Sequence, residues 1–249
     1  MNAERWWTRV SFSLLTSETH SATGPLLTAY QIIHNTFTPL IGPDQQIHSE
    51  LAPRLIYRFS SEEGYRLYPD VVPLIRRLRG KPGPNAPRVV IGIITNSDDR
   101  VPSVLSSLGL SVSPFRYGLQ VPQEQQAGQQ YDVDFTVLSY DVGHEKPDRR
   151  IFAAAEDMLM KNPMAVGTDT ADWDKVYIGD DVEKDVGGAL NAGWKAILVD
   201  RESAGGGKQV FWQDRLTLST LSSAFEEANG QALGFDSLAA LARLLPENS

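Results

Sequence analysis

The sequence predicts an α/β protein with a parallel, Rossmann-like sheet and helices on both of its faces. Three observations support this fold class. Short Val- and Ile-rich segments lack the alternation of half-exposed strands, which is typical of strands buried on both faces. Amphipathic segments ending at Gly or Pro separate them, and polar residues directly follow most of the apolar segments. Such an order favours parallel pairing through right-handed crossovers.

The predicted elements begin with short helices before residue 65, where Leu51, Leu55 and Ile56 recur at helical spacing between Gly-Pro and Thr-Pro pairs. A helix follows and stops at Gly80. Residues 111–131, rich in Gln and Pro, predict a surface loop. The predicted strands are Val89–Ile94, Phe135–Leu138, Lys175–Ile178 and Lys195–Val199, and the later helices are 101–108, Pro147–Met160 and Val182–Ala192.

The order of the predicted elements indicates the domain organisation. Residues 1–64 are expected to form a helical appendage and residues 65–203 the α/β core. Residues 204–249 are expected to be a linker, opening with three glycines, and a helix at Leu238–Leu245 that belongs to the core.

Composition excludes several classes of function. With 23 Lys and Arg against 31 Asp and Glu, the net charge is −8, which argues against nucleic acid as a partner. No cysteine is present, so disulfides and thiolate zinc sites are excluded. No apolar segment has the length of a membrane span or the features of a signal peptide. We therefore expect an intracellular protein, cytoplasmic or nuclear, without a membrane partner.

The candidate site residues follow the predicted strands. Thr95 and Asn96 come after the first, Lys146 precedes the helix after the second, and Asp180, Asp181 and Asp185 come after the third. Ligands of open parallel sheets bind outside the carboxyl ends of the strands. Three carboxylates within six residues repel one another unless a cation or a lysine compensates. These residues also have purely structural explanations. Thr95 and Asn96 suit a helix cap, and the three acids favour a helix N-terminus.

The order and spacing of these residues resemble the haloacid dehalogenase (HAD) hydrolase superfamily. The segment IGIITNSDDR resembles its motif II, GHEKPDRRIF its motif III, and VYIGDDVEKDVGGALNAGWKAILVDR its motif IV, so the resemblance covers roughly residues 65–201. The N-terminal segment ERWWTRV resembles part of the helical cap in the branch called haloacid dehalogenase-like hydrolase domain-containing protein three. Residues 1–64 would then be a partial helical cap.

The resemblance implies a Mg²⁺-dependent phosphatase acting on a small phosphorylated metabolite. Thr95 would hydrogen-bond the phosphoryl group and Asn96 would help to seat it. Lys146 would neutralise its charge. Asp180, with Asp185 or Asp181 in support, would hold Mg²⁺, which prefers oxygen ligands. Phosphoryl transfer needs mainly positioning and positive charge, so these assignments are chemically consistent.

The family's nucleophile motif, Asp-x-Asp-x-Thr on a central first strand, has no counterpart where it belongs, because no Asp precedes Asp44. Residues 132–136 match it letter for letter, but their acids precede an apolar strand instead of following it. We therefore expect a core without its central strand, inactive as this chain. A truncated sequence, a short isoform and a non-catalytic descendant remain open, as does the alternative of a HAD-fold binding or regulatory protein.

Overall fold

The computed structural model describes residues 25–41, 46–80, 88–119, 130–202, 210–213, 216 and 220–245. The chain divides into two compact units, Met1–Tyr65 and Arg66–Ser249. The segment ERWWTRV lies outside the described residues. None of the helices in the described ranges combines the length and the apolar character that crossing a membrane requires.

The first unit contains helices. Helix α1 (Pro25–Phe37) leads into a 3₁₀ turn at Thr38–Leu40, and helix α2 (Leu51–Arg58) follows. The two helices contact each other. The helical spacing of the sequence before residue 65 thus predicts helix α2 correctly.

The second unit contains parallel strands that alternate with helices. One sheet pairs β1 with β2, and the other has the order β3-β4-β6-β5, with every pair parallel. This arrangement confirms the predicted α/β class. The strands are β1 (Gly92–Thr95), β2 (Phe135–Leu138), β3 (Val176–Gly179), β4 (Lys195–Val199), β5 (Val210–Trp212) and β6 (Ala232–Phe235), and the helices are α3 (Val71–Arg79), α4 (Val101–Ser107), α5 (Ser139–Val142), α6 (Arg149–Met160), α7 (Gly188–Asn191), α8 (Leu221–Ala228) and α9 (Leu238–Ala242).

Apolar cores lie on both faces of the larger sheet. Ala196 and Leu198 of β4 pack into one core with α6. The alternate residues Ile197 and Val199 pack into a second core with α3, α8 and α9. Because successive strand residues point to opposite faces, this division confirms that helices cover both sides of the sheet.

Strand β1 is shorter than the predicted Val89–Ile94, because side chains bond to the backbone ahead of it. Arg79 donates to the Val89 carbonyl at 3.1 Å. The Asp134 carboxylate accepts from the Ile91 N–H at 2.7 Å and pairs with Arg79 at 2.6 Å. These bonds satisfy groups that strand pairing would otherwise satisfy.

The C-terminal residues correct the prediction of a linker followed by one helix. Within 210–245 the chain forms β5, α8, β6 and α9. Strand β6 lies between β4 and β5, and its Ala232 and Leu233 are fully buried. Its sequence, Ala-Leu-Gly-Phe, has no β-branched residue and is too short for a periodic signal. Pairing with β4 and β5 makes it a strand.

The two sheets meet at a break in the backbone pairing. Among the described residues, β1 pairs with β2 and β3 pairs with β4, and no pairing joins β1 to β3. The HAD resemblance places the central motif I strand at this position. One side chain spans the break, because the Tyr177 hydroxyl of β3 donates to the Ile94 carbonyl of β1 at 3.0 Å.

The Arg79–Asp134 pair predicts a large stability effect. We expect Asp134→Ala to lower the free energy of unfolding by about 3–5 kcal/mol, because it leaves Arg79 charged and poorly solvated and the Ile91 N–H without an acceptor. Urea unfolding followed by circular dichroism measures this difference. Asp174→Ala, which removes an exposed ion pair with Lys195, should cost less than about 1 kcal/mol. Equal losses in the two variants would contradict the role of Asp134.

Candidate phosphoryl-binding site

Of the predicted site residues, Thr95 and Asp180 lie at the carboxyl ends of β1 and β3, and Lys146 lies just before α6. Thr95 is the last residue of β1, and Asp180 directly follows β3. Parallel strands present their carboxyl ends at one edge, so the two segments reach the same region from the two sheets. A chain of hydrogen bonds from Asn96 through Lys146 and Asp185 to Asp180 connects them.

Asn96 holds the backbone of Lys146. The Asn96 carboxamide donates from Nδ2 to the Lys146 carbonyl at 3.0 Å, and its Oδ1 accepts from the Lys146 N–H at 2.7 Å. Both groups of the carboxamide are therefore used to fix the segment before α6. The Thr95 hydroxyl has no hydrogen-bond partner within the described ranges, so it is available to a ligand.

The Lys146 ammonium is largely buried and makes two short hydrogen bonds. It donates to Asp185 Oδ1 and to the Tyr177 hydroxyl, each at 2.7 Å. The side chains of Lys146 and Asp185 are only 11% and 5% exposed. An ammonium carries three donors, and the described part of the chain supplies no acceptor for the third. The site thus contains a positioned cation with a remaining donor.

Asp185 bonds to the end of β3 as well as to Lys146. Its Oδ2 accepts from the backbone N–H groups of Asp180 and Asp181, both at 3.0 Å. The carboxylate lies so close to Gly179 that a Cβ at this position would meet Oδ2 at 2.3 Å. Only glycine permits this approach, so the Gly in the Gly-Asp-Asp sequence is a packing requirement of the site.

The helix after β3 differs from the uniform helix predicted over Val182–Ala192. It begins as a π-helical turn at Val182–Gly187 and continues as α7. Asp181 caps the turn, because its Oδ1 accepts from the N–H groups of Glu183 and Lys184 at 2.9 and 2.8 Å. The wider turn accompanies an Asp185 whose side chain bonds back to the strand end, and such turns are frequent at functional sites.

Asp180 lies at the surface, as does Asp181, whose carboxylate caps the following turn. Asp180 makes no ion pair within the described ranges. Desolvation at the strand end and the negative charge of Asp185 raise the pKa of the Asp180 carboxyl above its usual 3.8, although Lys146 acts in the opposite direction. Desolvation and the charge of Asp185 also raise the pKa of Tyr177, so its hydroxyl stays protonated. The carboxylate of Asp180 is thus placed where a cation would stabilise its charge.

The three predicted metal ligands have separate uses in this structure. In the described residues no group of three or more His, Asp or Glu side chains is arranged to hold a metal ion. Asp185 is paired with Lys146, and Asp181 caps the following turn. Asp180 can still serve as one ligand, since Mg²⁺ is often held by one or two carboxylates together with water and the phosphate of a substrate. The residues fit a cation bound jointly with an anion.

Sequence reasoning missed Tyr177, which contacts both Lys146 and β1. A phenol within a short, otherwise aliphatic strand directly before Gly-Asp-Asp was the available signal. It also missed Arg116, which forms a bidentate pair with Asp141 beyond the end of β2, both bonds being 2.6 Å. That pair raises the pKa of Arg116 and keeps it charged.

Residues 132–136, which match the nucleophile motif by letter, have structural roles. The Asp132 carboxylate accepts from the Ser111 N–H at 2.8 Å, and Asp134 pairs with Arg79. Both acids precede β2, at the end opposite to Thr95 and Asp180. The Thr136 hydroxyl is fully buried without a partner in the described residues. The interpretation of this segment as an ordinary strand entry agrees with these contacts.

Comparisons with known proteins give a family match and several relatives. The family model described as HAD-hydrolase-like matches residues 144–216. The chain is 30% identical to "Uncharacterized protein YMR130W" of Saccharomyces cerevisiae over 174 residues, covering 68% of this chain and 49% of that protein. It is 29% identical to "Putative uncharacterized hydrolase C7D4.05" of Schizosaccharomyces pombe over 154 residues, covering 62% and 56%.

A solved structure, that of a HAD phosphatase from Thermococcus onnurineus, aligns with a TM-score of 0.45 at 20% identity, covering 87% of this chain and 74% of the other. The chain spans about half the length of the curated relatives that it matches. The family match contains Lys146 and the acidic motif in the spacing described above. The family match over residues 144–216 supports the HAD-like hydrolase superfamily for this chain.

The contact between Gly179 and Asp185 predicts a position-specific glycine effect. We expect Gly179→Ala to lower the free energy of unfolding by roughly 2–4 kcal/mol, because the added methyl group displaces the partner of Lys146. Gly187→Ala is the matched control, since a Cβ there meets only an ordinary contact at 3.5 Å and Ala favours helical backbone. Chemical denaturation measures the free energy of unfolding of the two variants. A Gly179→Ala protein as stable as the control would show that Asp185 does not depend on this approach.

Proposed function

We propose that this chain binds the phosphoryl group of a small phosphorylated metabolite at the carboxyl ends of β1 and β3. The observation that supports it is the Lys146 ammonium, fixed by Asp185 and Tyr177 and left with one donor that the described residues do not use. A fixed donor with a full positive charge is what a phosphoryl oxygen requires.

Each predicted residue takes a distinct part in this proposal. Lys146 and the Thr95 hydroxyl bind phosphoryl oxygens directly. Asn96 acts on the ligand through Lys146, whose backbone it holds. Because the Lys146 ammonium is held before the ligand arrives, binding requires little reorganisation of the protein.

We further propose that Mg²⁺ joins the site through Asp180. A hard cation between the carboxylate and the phosphoryl oxygens would offset the repulsion between these negative groups. Asp185 supports this position, since its Oδ2 accepts the backbone N–H groups of Asp180 and Asp181. Metal and phosphate are then expected to bind together, each weakly on its own.

Turnover is a separate step from binding. The covalent route of the family requires a carboxylate that attacks phosphorus. The carboxylates of the sequence segment that matches this motif are bonded to Ser111, Ile91 and Arg79 instead. We propose that this chain binds phosphorylated ligands and has little or no phosphatase activity.

Phosphate affinity tests the binding proposal. We expect inorganic phosphate, titrated by calorimetry in the presence of Mg²⁺, to bind Lys146→Met at least about tenfold more weakly than the unaltered chain, because a charge-assisted hydrogen bond is lost. Lys161→Met is the control. It removes an equal charge from an exposed pair with Asp157 on α6, and its affinity should stay within about twofold of the unaltered chain.

Two results would overturn this proposal. One is equal phosphate affinity in Lys146→Met and Lys161→Met, which would place the anion elsewhere. The other is steady hydrolysis of an aryl phosphate by the chain that disappears in Lys146→Ala. Such hydrolysis would show that a nucleophile is present, against the expected lack of turnover.

The role of Asp180 gives a prediction about the metal. Millimolar Mg²⁺ should strengthen phosphate binding by roughly tenfold in the unaltered chain and by less than about twofold in Asp180→Asn, because the amide is a neutral ligand. Asp157→Asn, on the exposed face of α6, should retain the full effect of Mg²⁺. An unchanged response to Mg²⁺ in Asp180→Asn would exclude Asp180 as a ligand.

A further inference from the structure

Tyr177 lies within the segment that resembles motif IV, but the resemblance gives its side chain no role. It lies in the middle of β3, and its hydroxyl reaches β1 across the break between the two sheets, where it donates to the Ile94 carbonyl at 3.0 Å. The same oxygen accepts from the Lys146 ammonium at 2.7 Å. The Tyr177 hydroxyl therefore donates its single proton to β1 and accepts a hydrogen bond from Lys146 of the candidate site.

The ring of Tyr177 is itself held in place. Phe152 of α6 packs against it edge to face, with ring centroids 5.4 Å apart and planes at 79°. The Lys146 ammonium lies 5.2 Å from the centre of the Tyr177 ring. The hydroxyl is thus presented by a packed ring at one end and a backbone hydrogen bond at the other, which leaves it little freedom to move.

The direction of the third Lys146 donor depends on this hydroxyl. The three N–H bonds of an ammonium are tetrahedral and rotate together about the Cε–Nζ bond. Asp185 alone restrains this rotation through one hydrogen bond. With the Tyr177 hydroxyl as a second acceptor, two bonds are fixed, and the direction of the third follows from geometry.

We propose that Tyr177 is a positioning residue, which orients the Lys146 ammonium toward the phosphoryl group and couples that orientation to the spacing of β1 and β3. This inference rests on the proposed phosphoryl-binding function for its consequence, and on the contacts of Tyr177 for its mechanism. Tyr177 acts on the ligand through Lys146. Its loss should therefore loosen the ammonium as well as weaken phosphate binding.

The experiment compares Tyr177→Phe, which removes the hydroxyl and keeps the ring, with the unaltered chain. The first measurement is solvent exchange of the Lys146 ammonium protons by ¹⁵N NMR, assigned by the signal that Lys146→Met removes. We expect exchange in Tyr177→Phe to be faster by roughly tenfold, as for the loss of one hydrogen bond to a charged group. The second measurement is phosphate affinity, which should fall by about the same factor.

Tyr65→Phe provides the matched control. It removes another tyrosine hydroxyl bonded to a backbone carbonyl, that of Phe59 at 3.3 Å, within the first unit. Neither the exchange rate nor the phosphate affinity should change. In the unaltered chain, the Lys146 ammonium should also exchange at least about tenfold more slowly than that of Lys161, which is 59% exposed. This comparison needs no variant of Tyr177 to fold.

The outcomes separate the inference from the proposed function. Faster exchange in Tyr177→Phe together with weaker phosphate binding supports both. Faster exchange in a protein that binds no phosphate supports the positioning role and overturns the proposed function. Unchanged exchange in Tyr177→Phe, with or without a loss of stability, assigns Tyr177 a purely structural role and overturns the inference. Equal exchange of Lys146 and Lys161 overturns it as well.

Discussion

The ion pair between Lys146 and Asp185 is the interaction on which the rest of the site depends. Two opposite charges that are 11% and 5% exposed have lost most of their hydration, and only close contact and further hydrogen bonds offset that cost. Asp185 receives those bonds from the amides of Asp180 and Asp181, and Lys146 donates a further one to Tyr177. The pair therefore fixes the entry to α6, the end of β3 and the π-helical turn relative to one another.

Helix α6 packs against both sheets. Its buried residues Ile151, Phe152 and Ala155 share a single apolar core with Phe135 and Val137 of β2 and with Leu198 of β4. Backbone pairing does not join the two sheets in the described residues. This packing, the Tyr177 hydrogen bond and the hydrogen bonds from Asn96 through Lys146 to Asp185 align their carboxyl ends. The candidate site is built from these carboxyl ends, so its geometry depends on their alignment.

The three carboxylates of the acidic motif, Asp180, Asp181 and Asp185, have different roles. Asp181 stabilises the start of the following turn by accepting two backbone N–H groups. Asp185 neutralises a buried lysine, while Asp180 keeps a surface carboxylate whose pKa is raised by its surroundings. A metal site with three carboxylates would need at least one oxygen of Asp185, and both are used, Oδ1 by Lys146 and Oδ2 by two backbone N–H groups. The proposed function therefore uses Asp180 as a protein ligand and takes the remaining coordination from water and the phosphoryl group.

The sequence by itself determined the elements whose patterns are local. The buried strands β2 and β4, the end of α3 at Gly80 and the order Thr95, Lys146, Asp180 were readable because apolar composition, stop signals and motif spacing are properties of short segments. The resemblance to the HAD-like class rests on that order and spacing. These residues also define the candidate site, because the carboxyl ends of parallel strands meet at one edge of the sheet.

Only the tertiary structure decided the features that depend on distant partners. Strand β6 exists because β4 and β5 lie beside it, and β1 starts late because Arg79 and Asp134 bond to the backbone ahead of it. Tyr177 became part of the site because its hydroxyl meets groups 31 and 83 residues away in sequence. Such contacts leave no periodic signal, since their free energy comes from packing and hydrogen bonds formed only after the chain has folded.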